Sequence, residues 1–265
     1  MSRITNLKIE EIKTSDLLNG FDFNKYNEGD RERWQTLIEG VRKAQSGIAC
    51  SSYDKGMSLF GENFSDLPDL NELNHKLERH TGWKIMPVNG LLPCEDFYKL
   101  LSRKIFPSAT FVRDWHSQTF TGYPDLFHDA VGHFPLFFED EFSNFLQKSA
   151  ALIYKILRKT PNGSAIKERM IQNFSRFGWF TWEAGMIKED GWPKAYGGAI
   201  LSSSGEARNV QQRGITDFNL LEIFNTPYTD KEFSVKYFMI DSYKDLFDSL
   251  ELIKTVYDVD GSVYG

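Results

Sequence analysis

The chain has 265 residues, with 31 Lys+Arg against 37 Asp+Glu and a formal net charge of −6. That length suits one large domain or two small ones, and mild acidity rules out the basic footprint of a nucleic-acid or anionic-membrane binder. Only two cysteines, Cys50 and Cys94, rule out a disulfide framework or a cysteine-rich zinc site and suit a reducing, cytoplasmic compartment.

In chain order, the start MSRITNLKIEEIK has no apolar segment of a secretory signal. No later run approaches the roughly 18 apolar residues of a membrane span. Residues 1–29 are polar and weakly periodic and read as a poorly defined N-terminal segment. Asp30–Gln45 places Trp34, Leu37, Ile38 and Val41 at helical spacing. Asp66–Arg79 reads as a second helix, with Ser65 as its cap and Pro68 in the first turn. Thr81–Gly90 alternates briefly and ends in Asn-Gly, a short strand and turn. Cys94–Arg103 reads as a short helix and Ile105–Trp115 as extended chain. Pro124–Gly132 reads as helix with proline near its first position. Asp140–Lys159 is the longest amphipathic helix, and Ile166–Phe174 and Phe180–Lys188 read as two more. Glu232–Ile240 reads as a strand and Ser242–Thr255 as a closing helix. With no repeat, low-complexity tract or linker, the expectation is a single domain over 1–265, α+β, mainly α-helical with a few short strands.

Chemistry concentrates in TGYPDLFHDAVGHFPLF, which holds His128 and His133, two of only five histidines. On an uninterrupted α-helix, residues i and i+5 point about 140° apart, so the pair cannot share a metal as the i, i+4 histidines of a metalloprotease helix do. Gly132 tolerates the left-handed conformation that ends helices, and Pro135 resists its resumption. A helix stopping at Gly132 would turn His133 back toward His128. Two ordinary histidines near a helix end are the competing reading. The metal reading needs a third ligand: two imidazoles and one carboxylate with open positions form the facial triad of non-haem Fe(II) oxygenases. Asp125, Asp129, Glu139, Glu183 and Glu206 are all conceivable.

Three segments, PDLFHDAVGH, WFTWEAGMIK and KAYGGAILSSSGE, resemble successive core motifs of the pterin-dependent aromatic amino acid hydroxylases. The resemblance covers about residues 81–243. It implies that His128, His133 and Glu183 hold a catalytic Fe(II), with O2 as co-substrate and a tetrahydropterin as cofactor. It also implies that Arg113, in FVRDWH, grips the carboxylate of the substrate, a task suited to a rigid bidentate donor. By the same resemblance Thr121 and Ser202 help hold the polar end of the amino acid, and Trp179 and Pro124 wall the substrate ring. Phe97 stacks on the pterin, the Leu91–Leu92 loop pairs with its edge, and Asp129 takes the place of a carboxylate that contacts it indirectly. The implied reaction is L-phenylalanine to L-tyrosine, by a monomeric catalytic domain binding a small aromatic amino acid, with no nucleic-acid or membrane partner.

Two residues depart from the family's T-V-E-F-G pattern: Trp182 and Ala184, on either side of Glu183. An alanine at 184 removes a large side chain near the ring pocket, and Trp182 either refills that space or packs into the core. This keeps meta-hydroxylation of phenylalanine or hydroxylation of tryptophan open as alternatives. A zinc hydrolase on the same ligands and a non-catalytic amino-acid binder are the readings from other classes.

Overall fold

Apolar stripes at helical spacing set the frame of the computed structural model, which describes residues 25–115 and 123–258. Helix α1 (Glu28–Gln45) buries Trp34, Leu37, Ile38 and Val41, and Asn27 and Asp30 close its start with a reciprocal capping box. Helix α2 (Ser51–Phe60) follows. Helix α3 (Leu70–Thr81) starts later than the sequence suggests, because Asp69 rather than Ser65 accepts from the first free backbone N–H groups, those of Asn71 and Glu72. A carboxylate there also complements the helix dipole.

Strands β1 (Lys84–Val88) and β2 (Ile105–Ala109) pair in parallel, with Lys84 opposite Ile105. Helix α4 (Cys94–Leu101) lies between them in sequence. The strand ends at Ala109, short of the extended run expected to Trp115. Helix α5 (Asp140–Lys159) matches its expected bounds and buries Phe142, Phe145, Leu146, Ile153 and Ile156. Helix α6 (Ala165–Gly178), capped by Ser164, runs past the expected end at Phe174.

The helix expected over Phe180–Lys188 is absent. The chain makes a π turn at Trp179–Glu183 and enters strand β3 (Gly185–Glu189). A hairpin leads to β4 (Trp192–Ala195), and its two central residues, Asp190 and Gly191, have φ of 51° and 83°. Positive φ at both positions is the type I′ turn that favours Asp-Gly. The hairpin edges a sheet of order β4-β3-β6-β5, completed by β5 (Ile215–Asp217) and β6 (Tyr237–Ile240). β6 lies parallel to both β3 and β5. β6 is shorter than the expected strand over Glu232–Ile240, because residues 226–236 are irregular. Short helices α7 (Gly198–Leu201), α8 (Ser204–Asn209) and α9 (Leu220–Asn225) connect these elements. Helix α10 (Tyr243–Val256) closes the described chain behind a Ser242–Asp245 capping box.

The architecture is mostly helical with a few short strands, the expected class. Its main core is rich in phenylalanine, with Phe127, Phe134, Phe137, Phe142 and Phe145 fully buried. That core braces the segment bearing both histidines: Trp83 stacks on Phe137 at 4.5 Å, and Phe106 packs on His133 at 5.4 Å. Among the described residues, no helix is long and apolar enough to cross a membrane.

Candidate metal and substrate site

The histidine pair meets by a different device from a helix stop. Residues Leu126 and Phe127 are α-helical, and His128–His133 then widens into a π turn that closes with Phe134 N–H donating to Asp129 C=O, an i+5 bond. The extra residue in the turn brings positions five apart onto one side, and such π segments recur at functional sites. Gly132 is absent from the left-handed glycines; its contribution is closeness, since a Cβ there would stand 2.6 Å from Gly198 O. A Cβ on Gly198 would in turn overlap the His133 ring. The second π turn, Trp179–Glu183, closes by the same i+5 pattern, Ala184 N–H to Trp179 C=O at 2.7 Å, and delivers Glu183.

The two turns bring three donor groups together. His128 Nε2 and His133 Nε2 are 3.0 Å apart. Glu183 places Oε2 3.3 Å from the first and Oε1 3.3 Å from the second. Atoms each about 2.1 Å from a common divalent ion stand roughly 3.0–3.4 Å from one another, so the triangle fits a shared cation. Burial alone would raise the Glu183 carboxyl, but the two imidazoles outweigh it and hold it well below its ordinary range. His128 is shifted upward: burial opposes its protonation, and Glu183 together with Asp129 outweighs it.

Asp129 is the competing third ligand, since one of its oxygens lies within 4.8 Å of ligand atoms of both histidines. Its Oδ2, however, accepts from Ala109 N–H at 2.7 Å and Ser108 Oγ at 3.1 Å, tying it to β2. Burial pushes its pKa up to about 6 against the pull of His128 and His133. Asp125, another conceivable ligand, is spent elsewhere. It accepts from Arg113 Nε and Nη2 at 3.1 and 2.6 Å, from Arg113 N–H at 2.8 Å and from His128 N–H at 3.0 Å. Glu206 is committed to Tyr237 and Ser234, and Glu139 sits at the start of α5. Glu183 is the carboxylate that faces both imidazoles.

Ser202 is buried, and its hydroxyl lies 2.7 Å from His128 Nδ1. A metal on Nε2 requires the proton on Nδ1, so Ser202 accepts it and fixes ring and tautomer. The sequence reading assigned this hydroxyl to the amino acid and missed its contact with the imidazole.

Two connected cavities meet at His128 and Glu183. The smaller, about 80 Å³, is lined by Arg113, Pro124, Trp179, Ser202, Ser203 and Asp230. Its one buried guanidinium, 2% exposed, makes it a seat for an anionic group. The larger, about 1000 Å³, is lined by Leu91, Leu92, Phe97 and Asp129, with Tyr98 and Trp182. Leu91, Leu92, Phe97 and Asp129 line only the larger cavity and Ser202 only the smaller, whereas Arg113, Pro124 and Trp179 stand on the wall the two share. Thr121 lies outside the described residues. Trp182 packs edge-on against Tyr98 and Phe177 and leans over Gly178, on the larger lobe, while Ala184 is fully buried and lines neither lobe.

Sequence reasoning missed Asp125 as the partner of Arg113, although a carboxylate twelve residues from a buried arginine is the neutralising group such a charge requires. It also missed Tyr228, which stacks on Trp179 at 5.0 Å and 20°; no local signal marks it.

Comparison with known proteins identifies the family. The profile of the biopterin-dependent aromatic amino acid hydroxylases matches residues 12–258. The phenylalanine-4-hydroxylase of Chromobacterium violaceum is 32% identical over 231 residues, covering 85% of this chain and 74% of that protein. The phenylalanine-4-hydroxylase of Pseudomonas aeruginosa is 33% identical over 227 residues, covering 85% and 83%. A crystal structure of the C. violaceum enzyme with bound iron(III) and 7,8-dihydrobiopterin superimposes with a TM-score of 0.77 at 31% identity, covering 88% of this chain and 84% of that one. The chain belongs to the biopterin-dependent aromatic amino acid hydroxylase family.

Proposed function

We infer that the protein is an Fe(II)- and tetrahydropterin-dependent monooxygenase that converts L-phenylalanine to L-tyrosine, acting as a cytoplasmic monomer. The observation that carries this is the triangle of His128, His133 and Glu183 at the junction of an Arg113-bearing lobe and a larger aromatic lobe. Two imidazoles and one carboxylate suit Fe(II) and leave positions open, and the bound iron and tetrahydropterin together supply the activation of O2.

The chain's own residues do the placing. Arg113 takes the carboxylate of the amino acid, held for that purpose by Asp125. Trp179 and Pro124 confine the ring beside the metal ligands. Phe97 offers a stacking face in the larger lobe, and the Leu91–Leu92 loop lies along it. Ser202 keeps His128 oriented. The relatives' phenylalanine activity supports phenylalanine as the substrate here.

The test is product identification. Iron-loaded protein is given a reduced tetrahydropterin, O2 and, separately, phenylalanine, tyrosine and tryptophan, and products are chromatographed against ortho-, meta- and para-tyrosine, dihydroxyphenylalanine and 5-hydroxytryptophan. Para-tyrosine as the main product is expected. Meta-tyrosine or 5-hydroxytryptophan as the main product overturns the assignment of ring or position.

A further inference from the structure

Glu206 is a buried carboxylate, 1% exposed, that touches neither lobe. Burial raises its pKa, and its hydrogen bonds work against that rise. An acid kept in such a position at a desolvation cost needs a task. Its contacts define one. Glu206 Oε1 accepts from Tyr237 Oη at 2.6 Å and from Ser234 N–H at 3.0 Å. Asn209, one helical turn further along α8, donates Nδ2 to Ser234 C=O and to Tyr237 Oη, each at 2.7 Å. The backbone of Ser234 is therefore gripped on both sides by side chains of one short helix.

Ser234 is where the irregular stretch 226–236 reaches the site. Its hydroxyl accepts from Trp179 Nε1 at 3.2 Å. The same stretch carries Tyr228, stacked on the Trp179 ring, and Asp230, on the wall of the smaller lobe. Without a ladder of its own, this stretch takes its position from what holds it. The segment that supplies Glu206 also supplies Ser202 to His128 and Ser203 to the smaller lobe. One turn of chain thus braces the metal ligand on one side and the ring wall on the other.

We propose that Glu206 is a positioning residue of the amino-acid lobe, holding Ser234 and, through it, the Trp179 ring with Tyr228 stacked on it and the Asp230 wall. This rests on the function proposed above. It makes a selective demand: loss of Glu206 weakens the amino acid more than the pterin or the metal, because the network ends on Trp179, Tyr228 and Asp230 and makes no hydrogen bond to Leu91, Leu92, Phe97, Asp129, His128, His133 or Glu183, although Trp179 and Tyr228 also line the larger lobe.

The experiment compares wild type, Glu206→Ala, Glu206→Gln and Ser234→Ala as iron-loaded enzymes. It measures KM for phenylalanine, KM for tetrahydropterin, kcat, iron per chain and Tm. Glu206→Ala is expected to raise KM for phenylalanine about tenfold or more, with KM for the pterin and iron per chain within about twofold of wild type. Glu206→Gln keeps an acceptor oxygen and is expected to restore most of the loss. Ser234→Ala keeps the backbone N–H and Tyr237 bonds of Glu206 and removes the hydroxyl that serves both Trp179 and Glu206, and is expected to raise KM for phenylalanine about fivefold; it decides the matter if Glu206→Ala does not fold. Parallel rises in both KM values, or an unchanged KM for phenylalanine in Ser234→Ala and Glu206→Ala, overturn the proposal while leaving the hydroxylase reading intact. A wild type with no saturable dependence on phenylalanine removes both.

Discussion

At the scale of single residues, the site is built as much from partners as from ligands. His128 is held at three points: its backbone N–H on Asp125, its Nδ1 on Ser202 and its Nε2 toward Glu183. Removing the Ser202 hydroxyl leaves the ring free to rotate and the tautomer unset. Ser202→Ala is expected to weaken Fe(II) affinity about 10–100-fold, read by anaerobic titration; affinity unchanged from wild type would show that the core packing alone orients the ring. Arg113 shows the same economy: Asp125 takes one edge of the guanidinium, and the remaining edge borders Ser202 C=O and the smaller lobe.

At the scale of elements, two π turns do the decisive work, and they were the least legible part of the sequence. The i, i+5 spacing of His128 and His133 shows that an ordinary helix cannot pair them; it does not tell a helix stop from a widened turn, because both leave the same residues and a glycine. The sequence suggests Gly132 as a left-handed helix stop, whereas its need is for the close approach of Gly198, a long-range contact with no local mark. The helix expected over Phe180–Lys188 failed for a readable reason: Asp190-Gly191 is a hairpin signal, and it requires strand rather than helix before it. Long amphipathic elements such as α1 and α5 were legible because their burial pattern is local. Trp182 belongs to this scale too. Its ring bridges the second π turn to Tyr98 on α4 and Phe145 on α5. Trp182→Ala is expected to cost about 3–5 kcal/mol of unfolding free energy, measured by denaturant titration, and to enlarge the pterin lobe. A loss under about 1 kcal/mol would contradict that bridging role.

For the whole molecule, burial of charge ties stability to pH. Burial acts to raise the Asp125 pKa, but the Arg113 charge and its hydrogen bonds outweigh this, and the carboxyl titrates below its ordinary 3.8. A depressed carboxyl contributes stability that is fully present above about 3.8 and is lost as pH falls through the lower folded value. Asp125→Ala leaves Arg113 buried without its partner and is expected to cost about 3–5 kcal/mol near neutral pH. The gap between variant and wild type should narrow only below that value; a gap that is constant from neutral to acid pH would show that the pair contributes shape rather than charge.

The family places the chemistry, and the reading proposed above puts it on three side chains at the meeting point of two lobes. The most direct measurement is anaerobic Fe(II) binding by isothermal calorimetry, with wild type, Glu183→Ala and Asp129→Asn compared side by side. One Fe(II) per chain in wild type and in Asp129→Asn, with binding abolished in Glu183→Ala, is the expected result. Retention of tight binding by Glu183→Ala, with its loss in Asp129→Asn, would hand the third coordination position to Asp129 and contradict the site described above.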